Sequence, residues 1–281
     1  MRSFTDSLFE AIHRRIERRY PGWNPDAALR YLPVAQALGR SGPAARVLDV
    51  GSAGEGLSRY WDGTAFELDL RMPQGPGEAG PSRRRVLGSG LALPFRDGAF
   101  DAVVSSDVLE HLAPEDRPSL VGEMLRVGRR QIVLAVPCGQ ASREAEAEVD
   151  RVHRDRHGPS HAWLEEHLRH GLPDEEDVLH AIRSRALALG KEASIRVEGN
   201  TNLALWRWLF RRYFGAGPRG ARLMRDGLLA LLPLLRHAHW GRTYRKIFFV
   251  QLRARAPEPS SGTAGLTGQD KTAGHGAGPD R

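Results

Sequence analysis

The stretch VLDVGSAGEG, residues 47–56, decides the fold because a short apolar run leads directly into a glycine-rich turn. Glycine lets the backbone approach a ligand closely, and the start of a following helix offers unpaired amides with partial positive charge. A strand followed by such a turn is typical of the nucleotide site of a doubly wound sheet. Taken alone, the turn fits a dinucleotide, another adenosine-bearing ligand or a purely structural loop.

Further short apolar runs follow at intervals that suit parallel strands covered on both faces. They lie at 65–70, 85–88, 100–105, 131–137, 193–198 and 245–253. The pattern predicts an α/β fold with a Rossmann-like, doubly wound, mostly parallel sheet of about seven strands, of which the last is antiparallel. Helical insertions are predicted after the fifth and sixth strands.

The domain organisation follows from the same pattern. We expect N-terminal helices that pack on the core in 1–44, one domain over 45–255, and a disordered tail over 256–281, where large apolar side chains are almost absent. The helical insertions are expected at about 138–192, where they form a lid or flank, and at about 200–244.

Two segments carry more detailed expectations. The first insertion is predicted to hold two short helices, near 160–170 and 174–188, with Ser160 and Asp174 as N-caps. The connection 71–84 is so rich in proline and glycine that we expect a loop there instead of a crossover helix.

The charge is unevenly distributed along the chain. The net charge is +7, and the stretch 206–255 alone contains twelve Arg or Lys and one acid, Asp226. Aromatic and basic residues are interspersed in 205–214, and a leucine-rich run follows within 205–245. This segment is compatible with a helix face packed on the sheet, with contact to an anionic membrane, or with nucleic-acid binding. Nucleic acid is the least favoured partner because no recognisable reading module accompanies the charge.

The single cysteine, Cys138, excludes a disulfide framework and fits a reducing compartment, so we expect a cytoplasmic protein that can lie at the inner face of the membrane. The first twenty residues lack the apolar core of a signal peptide. The longest apolar run, 227–235, is about half of the roughly 20 residues that a membrane-spanning helix needs.

Residues 86–137 carry a more specific signature, an LPF-x-D-x-x-FD-x-V segment followed by VLEHL. In this stretch the sequence resembles the class I S-adenosylmethionine-dependent methyltransferases. The residues in register with that family are Leu93, Pro94, Phe95, Asp97, Phe100, Asp101, Val103 and the run 108–112, followed by EMLRV at 123–127. The resemblance covers roughly 45–137 and implies S-adenosylmethionine as cofactor.

The resemblance also implies a set of cofactor-binding positions. The methionine part would face Asp49, Gly51, Ser52, Ala53, Gly54 and Gly56; the ribose would face Asp69 and Leu70; the adenine would face Ser89, Gly90 and Leu91; and Ser106 and Asp107 would lie beneath the sulfonium. The chain departs from many relatives at Ala53 and Glu55, where glycine is common, and at Ser89, where an aspartate reads the adenine amino group.

Histidines supply the candidate catalytic groups. Methyl transfer needs a base only when the acceptor is a hydroxyl, and His157, His161 and His111 are the candidates for that role. The spacing of four between His153, His157 and His161 also occurs in metal sites. We expect no metal there because Gly158 and Pro159 break any common helix and no pair of cysteines supports it.

The acceptor is predicted from a softer resemblance. SHAWLEEHLRHGLP at 160–173 and YRKIFFV at 244–250 resemble a subset of bacterial methyltransferases associated with glycan and glycolipid assembly. The resemblance implies a hydroxyl of a small molecule, a glycan or a lipid-linked saccharide as acceptor. The alternatives are a non-catalytic methyltransferase-like protein that binds cofactor or acts as a membrane-associated scaffold and, more distantly, an NAD-dependent oxidoreductase.

Overall fold

The structure, a computed structural model, describes residues 4–39, 45–52, 56–71 and 83–254, which form eight α-helices and seven β-strands. The helices are α1 (Phe4–Arg19), α2 (Pro25–Gly39), α3 (Arg117–Val127), α4 (Gln140–His157), α5 (Ala162–His170), α6 (Glu175–Ala188), α7 (Leu203–Tyr213) and α8 (Pro218–Leu235). The strands are β1 (Val47–Val50), β2 (Ala65–Asp69), β3 (Arg83–Leu87), β4 (Phe100–Ser106), β5 (Gly128–Pro137), β6 (Lys191–Asn202) and β7 (Thr243–Ala254).

All seven strands form one sheet in the order β3-β2-β1-β4-β5-β7-β6. Strand β1 pairs in parallel with both β2 and β4, whereas β7 is antiparallel to its neighbours β5 and β6. The predicted mostly parallel, Rossmann-like sheet with an antiparallel last strand and insertions after β5 and β6 is therefore confirmed. The strand order reverses between β1 and β4, which is the place where such sheets form a crevice for ligands.

Helices cover both faces of the sheet, which explains why its central strands are apolar on both sides. On one face, side chains of α3 and α6, for example Leu125 and Ile182, belong to the same buried cluster as Val103 of β4. On the other face, side chains of α2 and α8, for example Val34 and Leu229, belong to a second buried cluster. These residues are almost fully buried, so the sheet holds the carboxyl ends of β1 and β4 rigidly at one edge.

The first insertion differs from its prediction. The expected helices near 160–170 and 174–188 are present as α5 and α6, but α4 adds a third helix of 18 residues before them. The sequence of α4 is mostly charged, and its buried residues include Ser142, Glu146 and Asp150 beside Ala145 and Val149. Because three of these five buried residues are polar, hydrophobic periodicity could not identify the helix.

Two other predictions concern connections and ends. The helical region predicted after β6 consists of two helices, α7 and α8, separated by a short connection that contains Gly215 and Gly217. Most of the predicted loop 71–84 and the predicted disordered tail 256–281 lie outside the described residues. Within the described part of the chain, no helix combines the length and the apolar character needed to cross a membrane.

Candidate functional site

The turn after β1 lies at the predicted crevice, and its glycines are required by close packing. Gly51 has φ +80°, and a Cβ on it would lie 2.2 Å from Cγ2 of Val108, the residue that follows the end of β4 by two positions. A Cβ on Gly56 would lie 2.6 Å from Oδ2 of Asp49. The turn and the segment after β4 are thus in direct contact. The predicted cofactor residues Ala53 and Gly54 lie outside the described residues.

Asp49 is fully buried in β1 and carries an unusual carboxyl group. Its Oδ2 accepts a hydrogen bond from the backbone N–H of Leu57, at 2.7 Å. Burial, reinforced by the nearby carboxylate of Glu67, raises the pKa of Asp49 to about 7, although the hydrogen bond from Leu57 opposes the shift. The group therefore titrates near neutral pH, at the point where the sequence predicts contact with the cofactor.

Two serine hydroxyls at the crevice are buried without a hydrogen-bond partner. Ser52 follows β1 and Ser106 ends β4, and both are more than nine-tenths buried. Their Oγ atoms have no partner within the described part of the chain. A buried hydroxyl without a partner costs free energy, so a polar ligand at this edge would satisfy groups that the protein leaves open.

The predicted ribose and adenine positions lie at the ends of the two neighbouring strands. Asp69 ends β2 in a half-buried position, and its Oδ1 accepts a hydrogen bond from the N–H of Arg71. Leu70 is exposed, and Ser89 follows β3, where its Oγ accepts a hydrogen bond from the N–H of Leu91 at 3.2 Å. A Cβ on Gly90 would come 2.8 Å from Leu120, so this glycine is needed for packing beside the crevice.

Asp107 is held by two arginines that sequence reasoning did not single out. Arg245 donates from Nε and Nη2 to Oδ1 and Oδ2 of Asp107, both at 2.6 Å, and Arg30 donates to Oδ2 at 2.7 Å. The two guanidinium groups lower the pKa of Asp107 to about 2 despite its burial. Asp107 also adopts φ +54°, a conformation that aspartate tolerates better than most residues. Both carboxylate oxygens are therefore already engaged by the protein.

His111 lies in a cluster that includes a second histidine. Its Nε2 is 3.3 Å from Nε2 of His167, and its Nδ1 is 2.6 Å from Oε2 of Glu166. His167 is buried, and its Nδ1 is 2.9 Å from Oε1 of Glu146. Glu110 is fully buried, and its Oε1 lies 4.0 Å from Nε2 of His167. Burial, followed by the influence of His167, lowers the pKa of His111, although the contact with Glu166 opposes this shift.

His157 and His161, the other two predicted bases, belong to a different group. His157 donates from Nε2 to the carbonyl oxygen of Phe214 at 2.9 Å, and its ring lies 4.7 Å from the ring of His153. His161 is 5.7 Å, ring to ring, from both His153 and Phe214. His157 ends α4, eleven residues after Glu146, which is about 16 Å along a helix axis. The structure thus separates His157 from the His111 cluster.

An open cleft of about 580 Å³ lies between α3 and α6, beside the turn after β4. Its lining includes Leu109, Arg117, Pro173 and His180. Arg117 is not free to bind a ligand, because it donates to the carbonyl oxygens of Leu109, Leu112, His170 and Gly171. None of the predicted cofactor residues lines this cleft, so it is distinct from the crevice at β1 and β4.

The comparisons with known proteins bear on this crevice. Residues 48–136 match the family model described as a methyltransferase domain, and this range runs from the second residue of β1 to the penultimate residue of β5. Residues 48–136 are thus similar to methyltransferase domains over about a third of the chain. The resemblance predicted from the sequence is thereby confirmed for the methyltransferase domain, which carries every described cofactor position named above.

Two relatives illustrate how far the likeness extends. An uncharacterized methyltransferase of Mycobacterium sp. (strain KMS) is 38% identical over 119 residues, which are 40% of this chain and 46% of that protein. The chain thus spans less than half the length of the curated relatives that it matches. A phosphoethanolamine N-methyltransferase 2 of Haemonchus contortus, solved with phosphomonomethylethanolamine and S-adenosylhomocysteine, is 15% identical, covers 80% of this chain and 52% of that one, and has a TM-score of 0.50. At this identity the likeness shows the fold.

Proposed function

We propose that the protein is an S-adenosylmethionine-dependent methyltransferase. The observation that carries the proposal is the crevice at the carboxyl ends of β1 and β4, built by residues of a methyltransferase domain. Ligands of open α/β sheets bind at this point because the strand order reverses there. When bound, S-adenosylmethionine supplies a methyl group on a positively charged sulfur, which is already activated for transfer.

The described residues of the crevice fit this cofactor. The carboxylate of Asp69, at the end of β2, suits the two ribose hydroxyls as an acceptor of two hydrogen bonds. The hydroxyls of Ser52 and Ser106 are buried and have no partner in the described ranges, so they offer polar contacts to the methionine part. Gly51 allows the backbone to approach the ligand without a side chain between them.

The protein's contribution to the reaction is the alignment of the two reactants. The close contact between Gly51 and Val108 fixes the turn after β1 and the segment after β4, which border the crevice. When two bound reactants are held in line, as the nucleophile and the methyl carbon would be here, this alignment accounts for a large part of the rate enhancement by an enzyme. We propose a hydroxyl of a small molecule, a glycan or a lipid-linked saccharide as the acceptor, and a hydroxyl has to lose its proton during the transfer.

Of the three histidines predicted as candidate bases, we assign His111 to the place where the methyl acceptor binds. It follows the end of β4 by five residues and contacts His167 and Glu166, whereas His157 and His161 pack around Phe214. The proposed reaction therefore places the acceptor hydroxyl beside the group formed by Glu110, His111 and His167.

Ligand binding tests the cofactor directly. S-adenosylmethionine and S-adenosylhomocysteine should raise the melting temperature, whereas NAD should not, and a ligand at 100 times its Kd adds about 2.7 kcal/mol to the stability. Asp69→Ala should weaken S-adenosylhomocysteine at least about tenfold, because it removes hydrogen bonds to a charged acceptor. Asp62→Ala is the matched control, since Asp62 is an exposed carboxylate before the opposite end of β2. Equal stabilisation by NAD, or no binding of either nucleoside, would contradict the proposal.

A second proposal concerns contact with a membrane, and it rests on exposed apolar side chains in and after α8. On α8, Leu223, Leu231 and Leu234 lie within one stripe of the helix surface, and Leu234 is 71% exposed. Trp240, which follows α8, is 67% exposed. These apolar groups lie in the segment with twelve basic residues and one acid, which suits the interface of an anionic lipid surface. We propose that 205–245 docks on the cytoplasmic face of such a membrane.

A further inference from the structure

Glu110, His111 and His167 point one ligand atom each into a common space. Within the described ranges they are the one group of three or more His, Cys, Asp or Glu residues whose ligand atoms all lie within 4.8 Å of one another. We infer that these three residues bind a divalent transition-metal ion, with Zn²⁺ as the best match. From the sequence we predict no metal site. The histidine spacing considered there is that of His153, His157 and His161, and it does not include His111 or His167.

Both imidazoles are oriented as metal ligands are in proteins. Glu166 holds Nδ1 of His111 at 2.6 Å, and Glu146 holds Nδ1 of His167 at 2.9 Å. Glu146 is itself fixed by the hydroxyl of Tyr244, which donates to Oε1 at 2.5 Å. A carboxylate on Nδ1 fixes the tautomer in which Nε2 carries the free lone pair, and such outer partners accompany nearly all metal-binding histidines.

The two free nitrogens have the separation that a zinc ion requires. Nε2 of His111 and Nε2 of His167 are 3.3 Å apart. Two nitrogens at about 2.05 Å from a tetrahedral zinc ion are about 3.3 Å apart, because the angle between them is about 109°. Oε1 of Glu110 is 4.0 Å from Nε2 of His167, so a small side-chain movement brings it to the same ion.

Glu110 provides independent support, because no side chain in the described ranges forms a hydrogen bond to its carboxyl group. It is fully buried, and neither Oε1 nor Oε2 accepts a hydrogen bond from a side chain of the described residues. An isolated buried carboxyl group is costly, and buried charges in proteins are paired or bind metals. His111 keeps 31% of its side chain exposed, so an ion can reach the site from solvent.

The donor set selects the ion. Two imidazole nitrogens and one carboxylate oxygen match zinc sites, whereas Mg²⁺ prefers oxygen ligands throughout. Three protein ligands leave one position for water or another oxygen, as in catalytic zinc sites. One further step rests on the proposed function: the open position would hold and orient the oxygen of the acceptor hydroxyl. The metal site itself does not depend on methyl transfer.

The test uses the full chain after treatment with a chelator and dialysis. We expect calorimetric titration with zinc chloride to show about one ion bound per chain, and titration with magnesium chloride to show no comparable binding. Glu110→Gln and His167→Gln should each weaken zinc at least about tenfold, and Glu146→Gln should weaken it about 10- to 100-fold through the orientation of His167. His180→Gln, which alters an exposed histidine of α6, is the matched control and should bind as the wild type does.

Several results would overturn the site. They are the absence of zinc binding, zinc binding that survives both Glu110→Gln and His167→Gln, loss of binding in His153→Gln, or equal binding of Mg²⁺. If the Glu110 and His167 variants do not fold, the spectrum of Co²⁺ bound to the wild type decides the question. A spectrum typical of octahedral coordination by oxygen atoms alone would exclude the histidine ligands. S-adenosylhomocysteine binding, measured on the metal-free wild type, reports on the proposed function separately.

Discussion

Arg245 binds both carboxylate oxygens of Asp107, from Nε to Oδ1 and from Nη2 to Oδ2, at 2.6 Å each, across 138 residues of sequence. The contact joins the start of the antiparallel strand β7 to the end of β4. Arg245 is 2% exposed, so the pair is shielded from water. Planar, bidentate contacts of this kind are the strongest ion pairs in proteins, and a guanidinium group is well suited to them.

Replacement of this arginine should destabilise the protein strongly. We expect Arg245→Met to lower the free energy of unfolding by about 3 kcal/mol, because it leaves a buried carboxylate with only Arg30 as its partner. Arg169→Met is the control, since Arg169 forms an exposed pair with Glu165 that is worth at most about 1 kcal/mol. Urea unfolding of the three proteins measures both effects. Similar small losses in both variants would show that the Asp107 pair is not a structural contact.

The buried carboxyl group of Asp49 should make stability depend on pH. With a folded pKa of about 7 and an unfolded value of 3.8, the native state binds the proton more tightly than the unfolded state. This contribution is therefore largest in acid, falls as the pH rises from about 4 to about 7, and is constant above that range. Between pH 5 and pH 8 the loss amounts to about 2 to 3 kcal/mol.

Asp49→Asn isolates this effect from other titrating groups. The variant keeps the shape of the side chain but has no proton to lose, so its stability relative to the wild type should improve between pH 5 and pH 8 by about the same 2 to 3 kcal/mol. Urea unfolding of the wild type and of the Asp49→Asn variant, each at pH 5 and at pH 8, provides the four free energies of unfolding. A difference that does not change with pH would mean that Asp49 is already ionised in the folded protein at pH 5.

The turn at Gly51 should not tolerate a side chain. Gly51→Ala combines a left-handed conformation with a Cβ 2.2 Å from Cγ2 of Val108, so we expect a loss of about 3 kcal/mol. Gly190→Ala is the control, because Gly190 also has positive φ but no atom within 4 Å of its Cβ, and strain alone costs about 1 kcal/mol. Urea unfolding of both variants should separate strain from overlap.

The overlap can be relieved from the other side. We expect the double variant Gly51→Ala with Val108→Ala to lose less stability than the sum of the two single changes, since residues in contact are not additive. Full additivity would show that Gly51 and Val108 do not touch in the folded protein.

The membrane proposal predicts a lipid-dependent partition. The wild type should cosediment with vesicles that contain phosphatidylglycerol more strongly than with phosphatidylcholine alone, and the difference should shrink as salt screens the charges. Leu234→Ser with Trp240→Ser should reduce binding to both kinds of vesicle. Leu187→Ser is the control, because Leu187 is 60% exposed on α6, outside the basic segment. Equal effects of the control and the double variant would contradict docking through 205–245.

The strands of this fold could be predicted because each is a short apolar run with its own turn signals. Val103 and Ile132 are buried between two layers of helices, and such residues form continuous apolar stretches in the sequence. Helix α4 could not be predicted in the same way, because Glu146 and Asp150 face the interior, where partners from distant segments satisfy Glu146. The local pattern of α4 resembles that of an exposed, charged segment.

The sequence by itself determined the sheet, the glycine-rich turn at the end of β1 and the likeness of residues 48–136 to methyltransferase domains, because strand and turn signals are local and the family signature is contiguous. Only the tertiary structure decided which side chains meet. In the folded chain His111 contacts His167, which is 56 residues away in sequence, and Asp107 contacts Arg30 and Arg245. His157 instead contacts Phe214 and lies apart from His111. Such contacts depend on how helices and strands pack around one another, and the spacing of residues along the chain does not encode that packing.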